Sequence, residues 1–137
     1  MKLKNVLIAV DDIEESIRFY KEIFGLQVIL QQEGNVILSE GLVLQDAKIW
    51  NDTIDGTIMP YNNMTELYFE HNNLEELVDR LTSGDYYVAT HTTKRSDDPF
   101  GVKFVTELTE LDDGQKMVRF YDPSGNLIEV RTPVNYN

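Results

Sequence analysis

Two glutamates sit where strand chemistry disfavours them. Glu66 lies next to the apolar run Leu67–Phe69, close to Met64, and Glu129 lies among Leu127, Ile128 and Val130. A carboxylate in a strand is depleted on propensity and costly against a core, so each either points to solvent or lines a polar cavity. Each has an amide-bearing counterpart earlier in the chain: Asn5 precedes Glu66 by 61 residues, and Gln45 precedes Glu129 by 84. Carboxylates can accept hydrogen bonds, hold a cation or move a proton, and amides both donate and accept. These paired positions are the first place to look for ligand chemistry.

The pairing follows from a repeat. Val10-Asp11-Asp12-Ile13-Glu14-Glu15-Ser16-Ile17 recurs as His71-Asn72-Asn73-Leu74-Glu75-Glu76-Leu77-Val78. A strand-like run precedes each copy, and two similar units in one short chain can face each other across a cleft. In the first unit, alternation predicts a strand over Leu3–Val10, with Leu3, Asn5, Leu7 and Ala9 on one face. A helix follows, with Asp12 as N-cap, Glu15 at the capping-box position, and an Ile13, Ile17, Tyr20 and Phe24 stripe flanked by Ile23. Gly25 ends it. Strands are predicted at Leu26–Gln31, Val36–Leu38 and Leu42–Ile49, separated by turns at Glu33–Asn35 and Ser39–Gly41.

Residues 51–63, dense in turn formers, read as a connector. The second unit is predicted to open with a strand over Thr65–Glu70. Its helix has Asn73 as N-cap, a Leu74/Leu77/Leu81 stripe and Gly84 as its stop. Strands at Val102–Leu108 and Lys116–Asp122 flank the hairpin dipeptide Asp113-Gly114. Asp122-Pro123-Ser124-Gly125 is a turn, and Leu127–Arg131 closes the fold. Residues 85–101 have no counterpart in the first unit; an extra strand at Tyr86–His91 is expected there. The expectation is one α+β domain over 1–137, with module 1 at 1–50 and module 2 at 64–133.

The chain of 137 residues is long enough for one real core, and it has no cysteine. Disulfides, thiolate metal sites and a cysteine nucleophile are thereby excluded. Basic residues number 12 against 24 acidic, a net charge of −12 shared by both halves. Nucleic acid and anionic membrane surfaces repel such a protein. The acidity serves solubility or attraction of a cationic ligand. No apolar run approaches the roughly 20 residues of a membrane span, and the N-terminus lacks a signal-peptide pattern. A cytoplasmic location is the expectation. There is no phosphate-cradling glycine loop, nucleophile elbow or helical His-Glu-x-x-His.

The β-α-β-β-β duplication resembles the vicinal oxygen chelate superfamily, which includes glyoxalase I, ring-cleaving dioxygenases and bleomycin- and fosfomycin-resistance proteins. The residues that carry the resemblance are Val10 through Tyr20, ending in Phe19-Tyr20. Arg119-Phe120-Tyr121-Asp122-Pro123-Ser124-Gly125-Asn126-Leu127-Ile128-Glu129-Val130 carries it again, similar to the family's closing Asp-Pro-x-Gly-Asn-Leu-x-Glu segment. It implies two β-α-β-β-β modules forming a cupped mixed sheet around a cleft, helices outside, in a homodimer. In metal-using members four side chains from the first and last strands of each module meet on the concave face. Carried over, these are Asn5, Gln45, Glu66 and Glu129, with neither His71 nor His91 among them. That all-oxygen set suits Mg²⁺, Mn²⁺ or Ca²⁺ rather than zinc or nickel, or no ion at all.

Strand parity places Leu7, Val43, Tyr68, Leu127 and Arg131 on the same concave side. Tyr68 is a substrate contact or a wall-lining ring. Arg131 is an anchor for an anionic group or a solvated charge. Trp50 covers one end of the cavity or simply packs. His91 is a general base if 85–101 folds over the cleft, or an exposed loop residue. The resemblance implies a small molecule in the cleft. One reading is a divalent-metal-dependent lyase or isomerase, with Glu129 as base or ligand and Glu66 as its partner. A second is non-catalytic sequestration of a cationic or polar small molecule, as in antibiotic-resistance binding proteins. A third is an interaction module. Fold alone does not choose among them.

Overall fold

The structure is a computed structural model that describes residues 1–82 and 102–134. The chain divides into two compact units, Met1–Pro60 and Tyr61–Asn137. Among the described residues each contains a four-stranded mixed sheet, and with three α-helices the fold is α+β. The expected Gly84 helix stop, the Tyr86–His91 strand and His91 fall outside the described residues.

Unit 1 runs β1 (Val6–Val10), α1 (Ile13–Phe24), β2 (Val28–Gln32), β3 (Asn35–Leu38), β4 (Leu42–Asp46) and α2 (Ala47–Ile54), in sheet order β1-β4-β3-β2. Strand β1 pairs with β4 in parallel, and the other pairs are antiparallel. Helix α1 starts where Asp12 accepts the Glu15 N–H at 3.0 Å. It stops where Gly25, at φ +71°, donates its N–H to the Lys21 carbonyl and the next residue, Leu26, donates to that of Tyr20. Its buried face is Ser16, Phe19, Tyr20 and Ile23, while Ile13, Ile17 and Phe24 are half-buried. The stripe is thus rotated from the expected one. Phe19 takes its centre, edge-on to Tyr20 at 5.0 Å and to Phe24 at 5.6 Å.

The larger departure comes after β4, which ends at Asp46 rather than Ile49. Asp46 accepts the Ile49 N–H at 3.0 Å and so caps α2. Asn51 and Asp52, read as turn formers, lie inside this helix, and Asp55 closes it at φ +52°. A well-placed cap overrode the weak turn preference of residues that are tolerable in a helix interior.

Unit 2 runs β5 (Leu67–Glu70), α3 (Leu74–Thr82), β6 (Phe104–Glu110), β7 (Lys116–Tyr121) and β8 (Leu127–Arg131), in sheet order β5-β8-β7-β6. Asn73 caps α3 by accepting the Glu76 N–H at 3.1 Å, and Leu74, Leu77 and Leu81 are its buried stripe. These leucines and the fully buried Val118, Phe120, Ile128 and Val130 share one side of the sheet. An ion pair from Glu75 on α3 to Lys116 on β7 marks the same side. Each buried side chain of this size contributes about 1.5–3 kcal/mol. No helix among the described residues is long and apolar enough to cross a membrane.

Candidate functional site

A hairpin fixes the register of its strands by counting outward from its turn. In unit 1 the turn centres on Glu40, and five residues to either side Asn35 and Gln45 are paired. In unit 2 the turn centres on Ser124, and five residues to either side Arg119 and Glu129 are paired. The turns differ in how they are held. Glu40 adopts φ +65°, a left-handed conformation unfavourable for a side-chain-bearing residue. In unit 2, Asp122 accepts the backbone N–H groups of Ser124 and Asn126 at 2.9 and 2.8 Å, and the Asn126 side chain at 3.0 Å. The Asp-Pro-Ser-Gly-Asn segment therefore works as a turn clamp.

Each module thus bears one polar pair on its inner strands. The Asn35 amide donates to Gln45 Oε1 at 2.8 Å. Glu129 is the centre of an ion cluster: Arg119 Nε donates to Oε1 at 2.6 Å, and Arg131 Nε donates to Oε2 at 2.9 Å. Arg119 also reaches Thr106 Oγ1 from Nη1 at 3.3 Å. The Glu129 side chain is 5% exposed, whereas the guanidinium-bearing side chains are 31% and 28% exposed. Lys116 and Val118 mark the α3 side of β7, so Arg119 and its partners occupy the face turned away from α3. On this face Tyr68, 50% exposed, is level with Glu129 on β5, and Tyr121 lies edge-on to Tyr61 at 4.7 Å.

The outer-strand residues sit apart from these pairs. Asn5 and Glu66 each lie one residue before their strands and are exposed, rather than within strand interiors. Asn5 is level with Gly41, where an added Cβ would stand 3.2 Å from the Lys4 carbonyl oxygen and 3.8 Å from Asn5 Oδ1. Gln45 is level with Ala9, four residues or about 13 Å of strand beyond Asn5. Glu66 precedes the Leu67–Ile128 register and is level with Leu127, about 7 Å of strand short of Glu129. The parallel registers also differ by two residues between modules. Leu7 is level with Val43, yet its repeat counterpart Tyr68 is level with Glu129. The face parity survives, but the levels do not match.

Of the remaining candidates, Leu7 is exposed beside buried Val43, and Leu127 is half-buried opposite Tyr121. Trp50 is half-buried within α2. His71 lies 3.6 Å from Glu76. Asn35, Arg119 and Thr106 were not singled out by the sequence reading. The signal for the first two was the turn count, since the turns themselves were legible. Thr106 had none, because bulges shift the β6–β7 register.

A divalent metal, which the resemblance implies, requires oxygen donors that are free and uncrowded by cations. Gln45 Oε1 is taken by Asn35, and both Glu129 oxygens accept from guanidinium groups. A cation there would meet two like charges. Among the described residues no group of three or more His, Asp or Glu gathers to hold a metal. The residues present do not fit a resident divalent ion.

A groove of about 320 Å³ lies on the opposite side, lined by Val78, Thr82, Phe104, Glu107 and Leu108. It holds one ionisable group, Glu107, and lacks the convergence of polar groups seen around Glu129.

Comparison with known proteins agrees with this architecture. A protein of unknown function from Agrobacterium tumefaciens is 25% identical, covers 98% of this chain and 95% of its own, and superposes with a TM-score of 0.72. A glyoxalase/bleomycin resistance protein/dioxygenase family enzyme from Burkholderia phytofirmans is 16% identical, with a TM-score of 0.70 over 98% of this chain and all of its own. A genomically encoded fosfomycin resistance protein from Listeria monocytogenes is 14% identical, with a TM-score of 0.66 over all of this chain and 94% of its own. No curated protein matches the sequence. The model of the glyoxalase-like domain matches residues 3–135. With two mixed sheets, capped helices and the clamped closing turn in place, the chain belongs to the glyoxalase-like domain family, within the vicinal oxygen chelate superfamily.

Proposed function

We propose that this protein binds a small molecule on the face of the second sheet turned away from α3, without a resident metal. The observation that carries the reading is the Arg119–Glu129–Arg131 cluster, in which the carboxylate expected to ligate a metal is engaged by two guanidinium groups. A carboxylate so engaged orients its partners and is poorly placed to hold a cation. Glu66, its expected catalytic partner, is exposed and sits at a different level of the sheet. Family membership supports the small-molecule part of the reading, since structural neighbours include a fosfomycin resistance protein. Binding without turnover, in a homodimer and a cytoplasmic setting, accords with the same resemblance.

Elemental analysis of protein purified without chelator tests the metal-free part. Substoichiometric divalent metal is expected, with no thermal stabilisation by Mg²⁺, Mn²⁺, Ca²⁺, Zn²⁺ or Ni²⁺. One bound ion per chain, lost in Glu129→Gln, would overturn it.

A further inference from the structure

An arginine has five N–H donors, and the cluster uses few of them. Arg131 spends only its Nε on Glu129, and Arg119 spends its Nε on Glu129 and one Nη1 hydrogen on Thr106. The remaining Nη hydrogens of both have no partner among the described residues. Engaging a guanidinium through Nε leaves its Nη1–Nη2 edge open, the edge that forks onto a planar oxyanion. Both arginines are held through Nε by one buried carboxylate, from neighbouring strands and on one face; Arg131 keeps both Nη groups free of described partners, and Arg119 keeps Nη2 and one Nη1 hydrogen. Glu129 thereby orients the pair while cancelling only half of their charge. Two positive charges against one leave a local excess of +1 in a chain of net −12.

The neighbours of the cluster do not quench that excess. Glu70 is level with Arg131 on β5 and exposed, but no ion pair joins them. Glu66 lies further off, level with Leu127. Among the described residues a further cation, Lys103, stands 5.0 Å from the Tyr61 ring and 5.9 Å from that of Tyr121. Half-exposed Tyr68, level with Glu129, supplies an aromatic surface beside the guanidinium groups.

We infer that Arg119 and Arg131 form a binding site for the oxyanion group of a small molecule, a carboxylate or a phosphonate, with Glu129 as the positioning residue and Thr106 bracing Arg119. The inference rests on the metal-free reading of this site and names its ligand class. It opposes capture of a cationic molecule, which the overall acidity alone would favour. Pre-orientation by Glu129 spares the rotamer entropy that free arginines lose on binding.

The test uses the whole chain and follows the arginine Nε–H resonances by NMR during titration. The probes are benzoate, methylphosphonate, neutral benzamide and cationic benzamidine. Saturable shifts of the Arg119 and Arg131 signals are expected with at least one of the two anions, and the stronger responder identifies the acid class. Benzamide and benzamidine should leave these signals unmoved, and added salt should weaken the anion response. Arg131→Lys and Arg119→Lys keep the charge but lose the fork. Each should weaken binding about tenfold, the equivalent of one charge-assisted hydrogen bond. Glu129→Gln should weaken it and broaden both Nε–H signals, whereas loss of a distant packing residue would leave them sharp. No saturable shift with either anion in folded, metal-free protein would overturn the inference and leave the metal-free reading standing. So would equal affinity in both lysine variants, or a response to benzamidine alone. A stoichiometric metal at Glu129 would instead overturn the reading beneath it.

Discussion

Module 1 fills the positions five residues either side of its β3–β4 turn with two neutral amides; module 2 fills the matching positions with an arginine and a glutamate. The backbone device is the same in both, yet the energetics differ. One amide pair satisfies itself with a single hydrogen bond, whereas a buried carboxylate demands full compensation. Glu129 obtains it from two guanidinium groups, and the second of these leaves the surplus charge on which the proposed ligand site rests. On the proposed reading, one half of the duplicated fold serves as scaffold while the other half carries the site.

The sharpest way to break this contrast is to remove a partner from each pair. Arg119→Ala should cost about 3 kcal/mol, the lower end for a broken buried ion pair because Arg131 remains. Gln45→Leu should cost about 1 kcal/mol, the worth of an ordinary hydrogen bond. Denaturant unfolding measures both, and equal losses would show that the two pairs are energetically alike. The turns offer a contrast of opposite sign. Asp122→Ala removes a buried carboxylate that accepts three hydrogen bonds, with a loss of about 1.5–3 kcal/mol. Glu40→Gly relieves a left-handed residue in the matching turn and should raise stability by about 0.5–1 kcal/mol. Destabilisation by Glu40→Gly would mean that the module 1 turn is held by the glutamate side chain.

The smallest effect concerns the exposed Glu75–Lys116 pair, which ties α3 to β7. The Lys116 ammonium hydrogen-bonds Glu75 and holds its carboxyl below the ordinary carboxylate value, and Glu75 in turn raises Lys116. The carboxylate's contribution is therefore complete above its unfolded pKa and is lost as pH falls through the lowered folded value. The lysine's contribution is complete below its ordinary value and fades as pH rises through the raised one. A slight acid-side fall in melting temperature, abolished by Glu75→Gln and damped by salt, is the expected result. An unchanged acid limb in Glu75→Gln would remove this pair from the account.

Much of the fold was legible because its signals are local. Asp12 and Asn73 as caps, Gly25 as a stop, the Asp113-Gly114 hairpin and the Asp122–Gly125 turn each act within a few residues. Helix α2 was missed because its cap, Asp46, closes the continuous apolar run Leu42–Leu44, which reads as a buried strand. The candidate site was legible only in part. Glu129 and Arg131 stood out, while Asn5 and Glu66 were placed in strand interiors that begin one residue later.

By itself, the sequence determined the repeated β-α-β-β-β order, the ends of α1, the start of α3 and the turns from which the β3–β4 and β7–β8 registers are counted, since turns and caps are set by neighbours along the chain. Only the tertiary structure decided how β1 lies against β4 and β5 against β8. A parallel pair is joined by a long crossover, and no turn fixes its register. Within each sheet the parallel register sets the first-strand residue apart from its partner, Asn5 four residues from the level of Gln45 and Glu66 two residues from that of Glu129. It leaves Glu129 with arginines as its partners, because a buried charge takes the nearest groups able to neutralise it.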